Sequence, residues 1–338
     1  MKKPRADNLL QALMRQSRLS WYGTTAVIAA VLILFLILAA YLDGILGALS
    51  ELWFWQELLD SPVLIIYVLV VYPFMWRLWE RAVRAFQPLM PADDSPKRPA
   101  GEAPPPNRRW EWVAIFIGAA FFLLLSQPWK WGWVTGEIWL HVYEIITFPL
   151  LFGLLAWLVY SGLSGTRYIA RLGRQALNLD IFEPGVLAPV AHWSLGTSLA
   201  FIGGISLSLV FQTWESLRMW EDITIYAVLL GATVLLFFMS MWSTHKAMAR
   251  AKKRELGLAQ KHLTAAYREL KERVNQNQMK GVEKLYATLT AWSTYERQSK
   301  EAPTWPFNAS IIRRLAVSGL LPGLIYLIRF LFGSRLGM

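Results

Sequence analysis

Residues 21–42 read WYGTTAVIAAVLILFLILAAYL, without one charged side chain. A helix needs about 20 apolar residues to cross the ~30 Å hydrocarbon core of a bilayer. A stretch of that length therefore points to lipid rather than water as the solvent. Five more predominantly apolar runs follow, at 63–79, 110–127, 138–162, 194–214 and 223–243. Within lipid each backbone polar group has to be satisfied inside the protein, so runs of this kind fold as helices. The fold expected is all-α: a six-helix transmembrane bundle with a cytosolic helical or coiled-coil arm and a C-terminal interfacial or re-entrant helix.

The connecting segments test the count independently. Lys2, Lys3, Arg5, Arg15 and Arg18 precede the first run, whereas the next loop carries only Asp43, Glu51, Glu57 and Asp60. Arg77, Arg81, Arg84, Lys97, Arg98, Arg108 and Arg109 fill the second connection, and Lys130 alone the third. Arg167, Arg171 and Arg174 mark the fourth, Arg218 the fifth, and Lys246, Arg250, Lys252, Lys253 and Arg254 follow the sixth run. Basic and non-basic connections alternate throughout. Because Lys and Arg stay on the cytoplasmic side, this predicts a multi-pass protein of the cell (inner) membrane with both termini in the cytoplasm. The first run follows a basic region, as a signal peptide would, but its polar leader is long and no A-x-A site follows, which favours a retained span.

Composition fits that class. The chain of 338 residues is 55% hydrophobic with 18 Trp and a net charge of +11, and its mean hydropathy is +0.34. In a soluble protein the charge would suggest nucleic acid; here orientation of the spans accounts for it, and no nucleic acid is expected. Cys is absent, which removes disulfides, thiolate metal sites and a Cys nucleophile. With His at four and no Walker A, H-E-x-x-H or G-x-S-x-G motif, the chain reads as non-enzymatic. No catalytic residue, metal ligand or cofactor is assigned.

Punctuation divides the chain into a basic amphipathic segment (1–20), a first hairpin (21–87), a Pro-rich disordered linker (88–109), a four-helix region (110–243), an arm (244–302) and a membrane-interface segment (303–338). Pro73 and Pro149 should kink their spans. Between 165 and 192 a short helix should lie on the inner face and break at Pro184–Gly185, with Asp180 and Glu183 in a wet turn. In the C-terminal segment Pro322, with Arg313, Arg314, Arg329 and Arg335 around it, favours a helix that does not cross.

Three features bear on function. Glu137, His141 and Glu144 share one face at the start of the fourth run, an intramembrane polar cluster that reads as a proton or cation path, a metal site or a self-satisfied group. The Trp129, Trp131 and Trp133 loop above it reads as an interfacial belt with Trp53, Trp55, Trp214 and Trp220. Gly196, Ala200, Gly204 and Ser208 fall four apart, a face for close helix packing within the chain or between copies.

Beyond the spans, Leu256, Ala259, Leu263, Ala266 and Leu270 form an a/d seam, and Val282, Leu285, Leu289 and Trp292 repeat it. Asn275 to Gln278 and Gly281 separate the two, so the arm is one long helix with a weak middle or a hairpin. Either form offers residues 245–300 to a second copy or a protein partner. Arg250, Lys252, Lys253 and Arg254 should meet anionic headgroups. Two readings result: an assembly or signalling subunit acting through its arm, or an ion channel or transporter with a path past Glu137, His141 and Glu144.

The later half, about residues 175–330, resembles a type of uncharacterised bacterial membrane protein. The likeness rests on His245–Lys246, the run from Lys252 to Leu256, Trp305 to Phe307, Arg314 and Leu321–Pro322. It implies a membrane protein with a helical arm and carries no activity or functional residue.

Overall fold

The computed structural model describes residues 19–47, 54–55, 58–90, 108–128, 138–175, 177, 179–212, 220–276, 281–306 and 309–336. Among them are eight long α-helices and no strand: α1 (Trp21–Leu42), α2 (Asp60–Phe86), α3 (Arg108–Ser126), α4 (Ile138–Leu172), α5 (Ala188–Phe211), α6 (Trp220–Asn275), α7 (Val282–Glu301) and α8 (Ala309–Leu336). Seven of them, all but α7, contain a stretch long and apolar enough to cross a membrane, so this is a multi-pass membrane protein. That is one candidate more than the six spans expected, and the additional one lies in α8 (Ser310–Arg329). The basic segment 1–18, the linker 91–107, the Trp129, Trp131 and Trp133 loop, Trp53, Trp214 and Glu137 lie outside the described residues.

At the centre α5 packs on α2, α6 and α8, while α4 packs on α1, α2, α3 and α6. The tightest approaches are made by glycine. A Cβ on Gly118 of α3 would lie 2.2 Å from the Phe152 carbonyl oxygen, and Gly153 faces Ile115 across the same crossing. The Gly196 to Ser208 face is used within the chain. Gly196 seats Leu78 of α2, and Gly204 lies against the Tyr67 ring. The Tyr67 hydroxyl donates to the Ala200 carbonyl at 2.7 Å, and Ser208 hydrogen-bonds Tyr226 of α6 at 3.0 Å. Adjacent Gly203 is tighter still, because a Cβ there would meet the Tyr67 hydroxyl at 2.3 Å.

The helix continues through Pro73 and Pro149, the two positions where kinks are expected. The expected surface helix is instead the last part of α4, which runs unbroken for 35 residues to Leu172, with Trp79 and Trp193 packed close to Gly165. Pro184–Gly185 forms a 3-10 turn that leads into α5, where Pro189 sits in the first turn, a position that needs no N–H donor. Gln87–Leu89, at the start of the expected linker, is a 3-10 turn with Leu89 buried. At the C-terminus α8 is one helix of 28 residues through Pro322. That Pro is buried on the stripe Ile311, Leu315, Pro322, Ile325, so packing holds the helix where one backbone bond is lost.

The arm is a hairpin. Gly281, at φ 89°, starts α7, a left-handed conformation that glycine adopts without a Cβ clash. The two seams then face each other: Ala259, Ala266 and Leu289 are buried, with Leu256, Leu263, Leu270, Val282, Leu285 and Trp292 half-buried. His262 stacks on Trp292 at 4.2 Å.

Candidate functional site

The best-built part of the molecule is a joint where the spans meet the arm. Its apolar floor unites the ends of α2, α4 and α5 with α6 and α8, through Phe86, Ile169, Val190, Met241, Met248 and Leu315 among others. Burial of this many apolar side chains at one level fixes the angle between bundle and arm. His245, Lys246, Lys252 and Trp305, four residues of the noted resemblance, meet here. The His245 ring lies on Trp305 at 4.1 Å and 18°, and its Nδ1 is hydrogen-bonded to the Thr304 carbonyl at 2.9 Å. Lys246 stands over the Trp242 ring at 5.4 Å.

The basic run after the last apolar stretch divides into two kinds. Arg250 donates through Nη2 to the Gly173 carbonyl just past the end of α4, at 2.6 Å. Lys252 Nζ donates to the carbonyls of Lys300 at 2.5 Å and Ala302 at 2.9 Å, at the end of α7. Helix ends leave carbonyls without partners and carry partial negative charge, so each cation meets two needs at once. Lys253 is exposed, and Arg254 pairs with neighbouring Glu255 at 3.1 Å. Two of the four expected headgroup contacts are therefore braces between helices. The sequence shows a run of cations and not which of them turn inward.

At the far end of the bundle, His141 and Glu144 are half-buried on α4, and each has interaction partners. What organises this end is Asp43, just past α1. Its carboxylate accepts from the Trp139 N–H at 3.1 Å and the Leu140 N–H at 2.8 Å, capping α4. One turn deeper, Ser61 donates to Thr147 at 3.1 Å, Thr147 to the Tyr143 carbonyl at 2.9 Å, and the Tyr143 hydroxyl to the Leu58 carbonyl at 3.5 Å. Asp60 keeps a buried carboxylate oxygen without a partner among the described residues. No group of three His, Asp or Glu among those residues is placed to hold a metal.

Between α4, α5 and α6 runs a narrow cleft lined by Thr166, Ser194, Thr197, Ser198 and Ser240. The Ser194 and Ser240 hydroxyls bond to each other. Thr197 Oγ1 is buried without a partner among the described residues, and the space suits about one water molecule. The sequence showed these hydroxyls only as scattered small residues. Compared with known proteins, the chain matches no family model, no curated protein and no solved structure.

Proposed function

We propose that the chain is a non-enzymatic membrane anchor that presents its helical hairpin to a protein partner. The single observation that carries this reading is the continuity of α6. One helix of 56 residues passes from the bundle into the arm, a length of about 84 Å at 1.5 Å per residue. The joint braces it there through Arg250, Lys252 and His245. A rigid connection of this kind suits a part that must be held at a set height and direction above a membrane.

The partner would dock on the outside of the hairpin. Its two seams are taken up against each other, so a parallel coiled coil between copies would have to open it. Its outer faces carry exposed Leu258, Tyr267, Val274 and Tyr286 among charged side chains. Exposed tyrosines with a mixed-charge rim are the usual anchors of protein interfaces.

The test is capture of the intact chain from native membranes in mild detergent, with partners identified and mass measured. A stoichiometric foreign protein is expected. It should be lost when 256–298 is replaced by a short Gly-Ser linker, and weakened at least tenfold by Tyr267→Ala with Tyr286→Ala. A homo-oligomer with no partner would overturn the reading and bring ion flux past His141 and Glu144 forward as the next measurement.

A further inference from the structure

The C-terminal helix carries an assignment that loop charge does not provide. On α8 one stripe is turned inward: Ile311 and Leu315 are buried, then Pro322, and Ile325 and Tyr326 are half-buried. These positions recur every three to four residues from one end of the helix toward the other, as on a helix docked along its length. The partner is α5. Ile311 and Leu315 belong to the cluster that holds Val190 and Ala191 at the start of α5. Ile325 and Tyr326 pack on Ile205 and Leu209 near its end, beside Tyr226 of α6. From Ile311 to Ile325 is the same chain length as from Ala191 to Ile205, about 21 Å along each axis at 1.5 Å per residue. The two helices thus run parallel and side by side, starting at the arm and finishing at the opposite end of the bundle.

The other side of α8 is apolar and open. Val317, Leu320, Leu324, Leu327 and Leu331 are all at least half exposed. A Cβ at Gly319 or Gly323 would touch nothing, so no helix among the described residues covers this face. We infer that α8 is a seventh membrane span, that its open face is covered by lipid acyl chains, and that the C-terminus emerges on the side opposite the arm. Continuity with the α5 interface commits the face to lipid: α5 crosses the bilayer between the same two levels, and whatever lies along its whole length crosses with it.

Orientation then comes from docking and not from charge. Arg313 and Arg314 flank the arm-side end, and Arg329 and Arg335 the other, so the usual basic bias gives almost no direction. An arginine near a span end reaches the interface with its long stem. Packing of Ile311, Leu315, Ile325 and Tyr326 on α5 is left as the term that decides.

The chain has no cysteine, which makes the test direct. Single substitutions Ser334→Cys near the C-terminus and Ser293→Cys in the arm are each introduced into the full chain and exposed to a membrane-impermeant maleimide, in sealed right-side-out vesicles and after permeabilisation. Ser334→Cys is expected to label fully in sealed vesicles, and Ser293→Cys only after permeabilisation. Labelling of both only after permeabilisation would overturn the inference and return α8 to the arm side of the membrane. A third variant, Ser334→Cys with Leu315→Arg and Ile325→Arg, removes the docked stripe. Its labelling in sealed vesicles should fall at least severalfold. Unchanged labelling would overturn the claim that docking sets the direction.

Discussion

Lys252 reaches the end of the hairpin, its Nζ donating to the Ala302 carbonyl at 2.9 Å across 50 residues of chain. The contact closes the arm at its base, where α7 must turn away toward α8. A charged donor on carbonyls contributes about 1.5–3 kcal/mol, less where water reaches it, so Lys252→Met should cost about 1–2 kcal/mol. The next residue, Lys253, is exposed and makes no such contact among the described residues, so Lys253→Met should be neutral within ~0.5 kcal/mol. Protease cleavage between 290 and 306 in the full chain separates the two: faster for Lys252→Met, unchanged for Lys253→Met. Equal rates would remove the brace from the account.

Gly118 is where α3 can come close to α4. A Cβ at 2.2 Å from the Phe152 carbonyl oxygen and 2.7 Å from the Ala156 Cβ meets backbone on one side and a short side chain on the other, so neither can swing away. Gly118→Ala should part the helices at a cost of about 1–3 kcal/mol. Gly231→Ala has open space around it and should be neutral or raise stability by up to ~1 kcal/mol. Melting of the purified protein in one detergent, read by loss of helix signal, compares them; a lower Tm for Gly231→Ala than for Gly118→Ala would contradict the packing described.

What the sequence made legible, and what it did not, separates along one physical line. The spans were visible because the demand of lipid on a helix is local: enough apolar residues in a row. The two arm seams were visible for the same reason, since Leu256 to Leu270 and Val282 to Trp292 each keep their own periodicity. Whether a seam meets a copy or its neighbour cannot be read from its periodicity; in the fold the left-handed Gly281 starts the return helix. The docking of α8 was not legible either: Pro322 and the flanking arginines are local signals, whereas the α5 face it packs on is far from it in sequence. Glycine spacing picked out Gly196 and Gly204, yet Gly203, off that face, is closer to its neighbour than Gly204, because tightness is set by Tyr67 on another helix. Glu137, His141 and Glu144 drew attention as charges in an apolar run, while Asp43, which caps that helix, lies in a loop some 96 residues earlier.

The hairpin should hold over a broad pH range and open at both ends of it. Glu296 is bonded to Lys300 at 2.8 Å, and that bond, with a further one from Gln260 across the hairpin, holds its carboxyl below the usual 4.5. A lowered folded value means the contribution is present above 4.5 and fades as pH drops through the folded value. Tyr295 behaves in the opposite sense. Burial first, then its hydrogen bond to Glu255, raises its hydroxyl above the usual 10.0, so its contribution is present below 10.0 and is lost as pH rises through the folded value. Spin labels at Lys261→Cys and Arg297→Cys, in a chain with no other cysteine, report the gap between α6 and α7. A constant distance from pH 5 to 9 is expected, with broadening outside it. A transition near neutral pH would show that other groups control the arm.

Asp43 ties α1 to the start of α4, and it can be removed without touching an apolar contact. Both oxygens accept backbone N–H groups that have no partner within the helix, from Trp139 at 3.1 Å and Leu140 at 2.8 Å. Loss of a capping acceptor costs about 0.5–2 kcal/mol, and Asp43→Ala should fall in that range. Asp43→Asn keeps one acceptor oxygen and gives up the negative charge that favours a helix N-terminus, an effect of about 0.3–1 kcal/mol. The ordering wild type, Asn, Ala in detergent Tm is therefore expected. It should persist in a background with Glu144→Gln, because the cap acts on backbone amides and needs no neighbouring charge. If Asn and Ala melt together below the wild type, the charge alone matters. The carboxylate would then serve the polar cluster on α4 rather than the helix end, and ion flux with Asp43→Asn would become the measurement that decides.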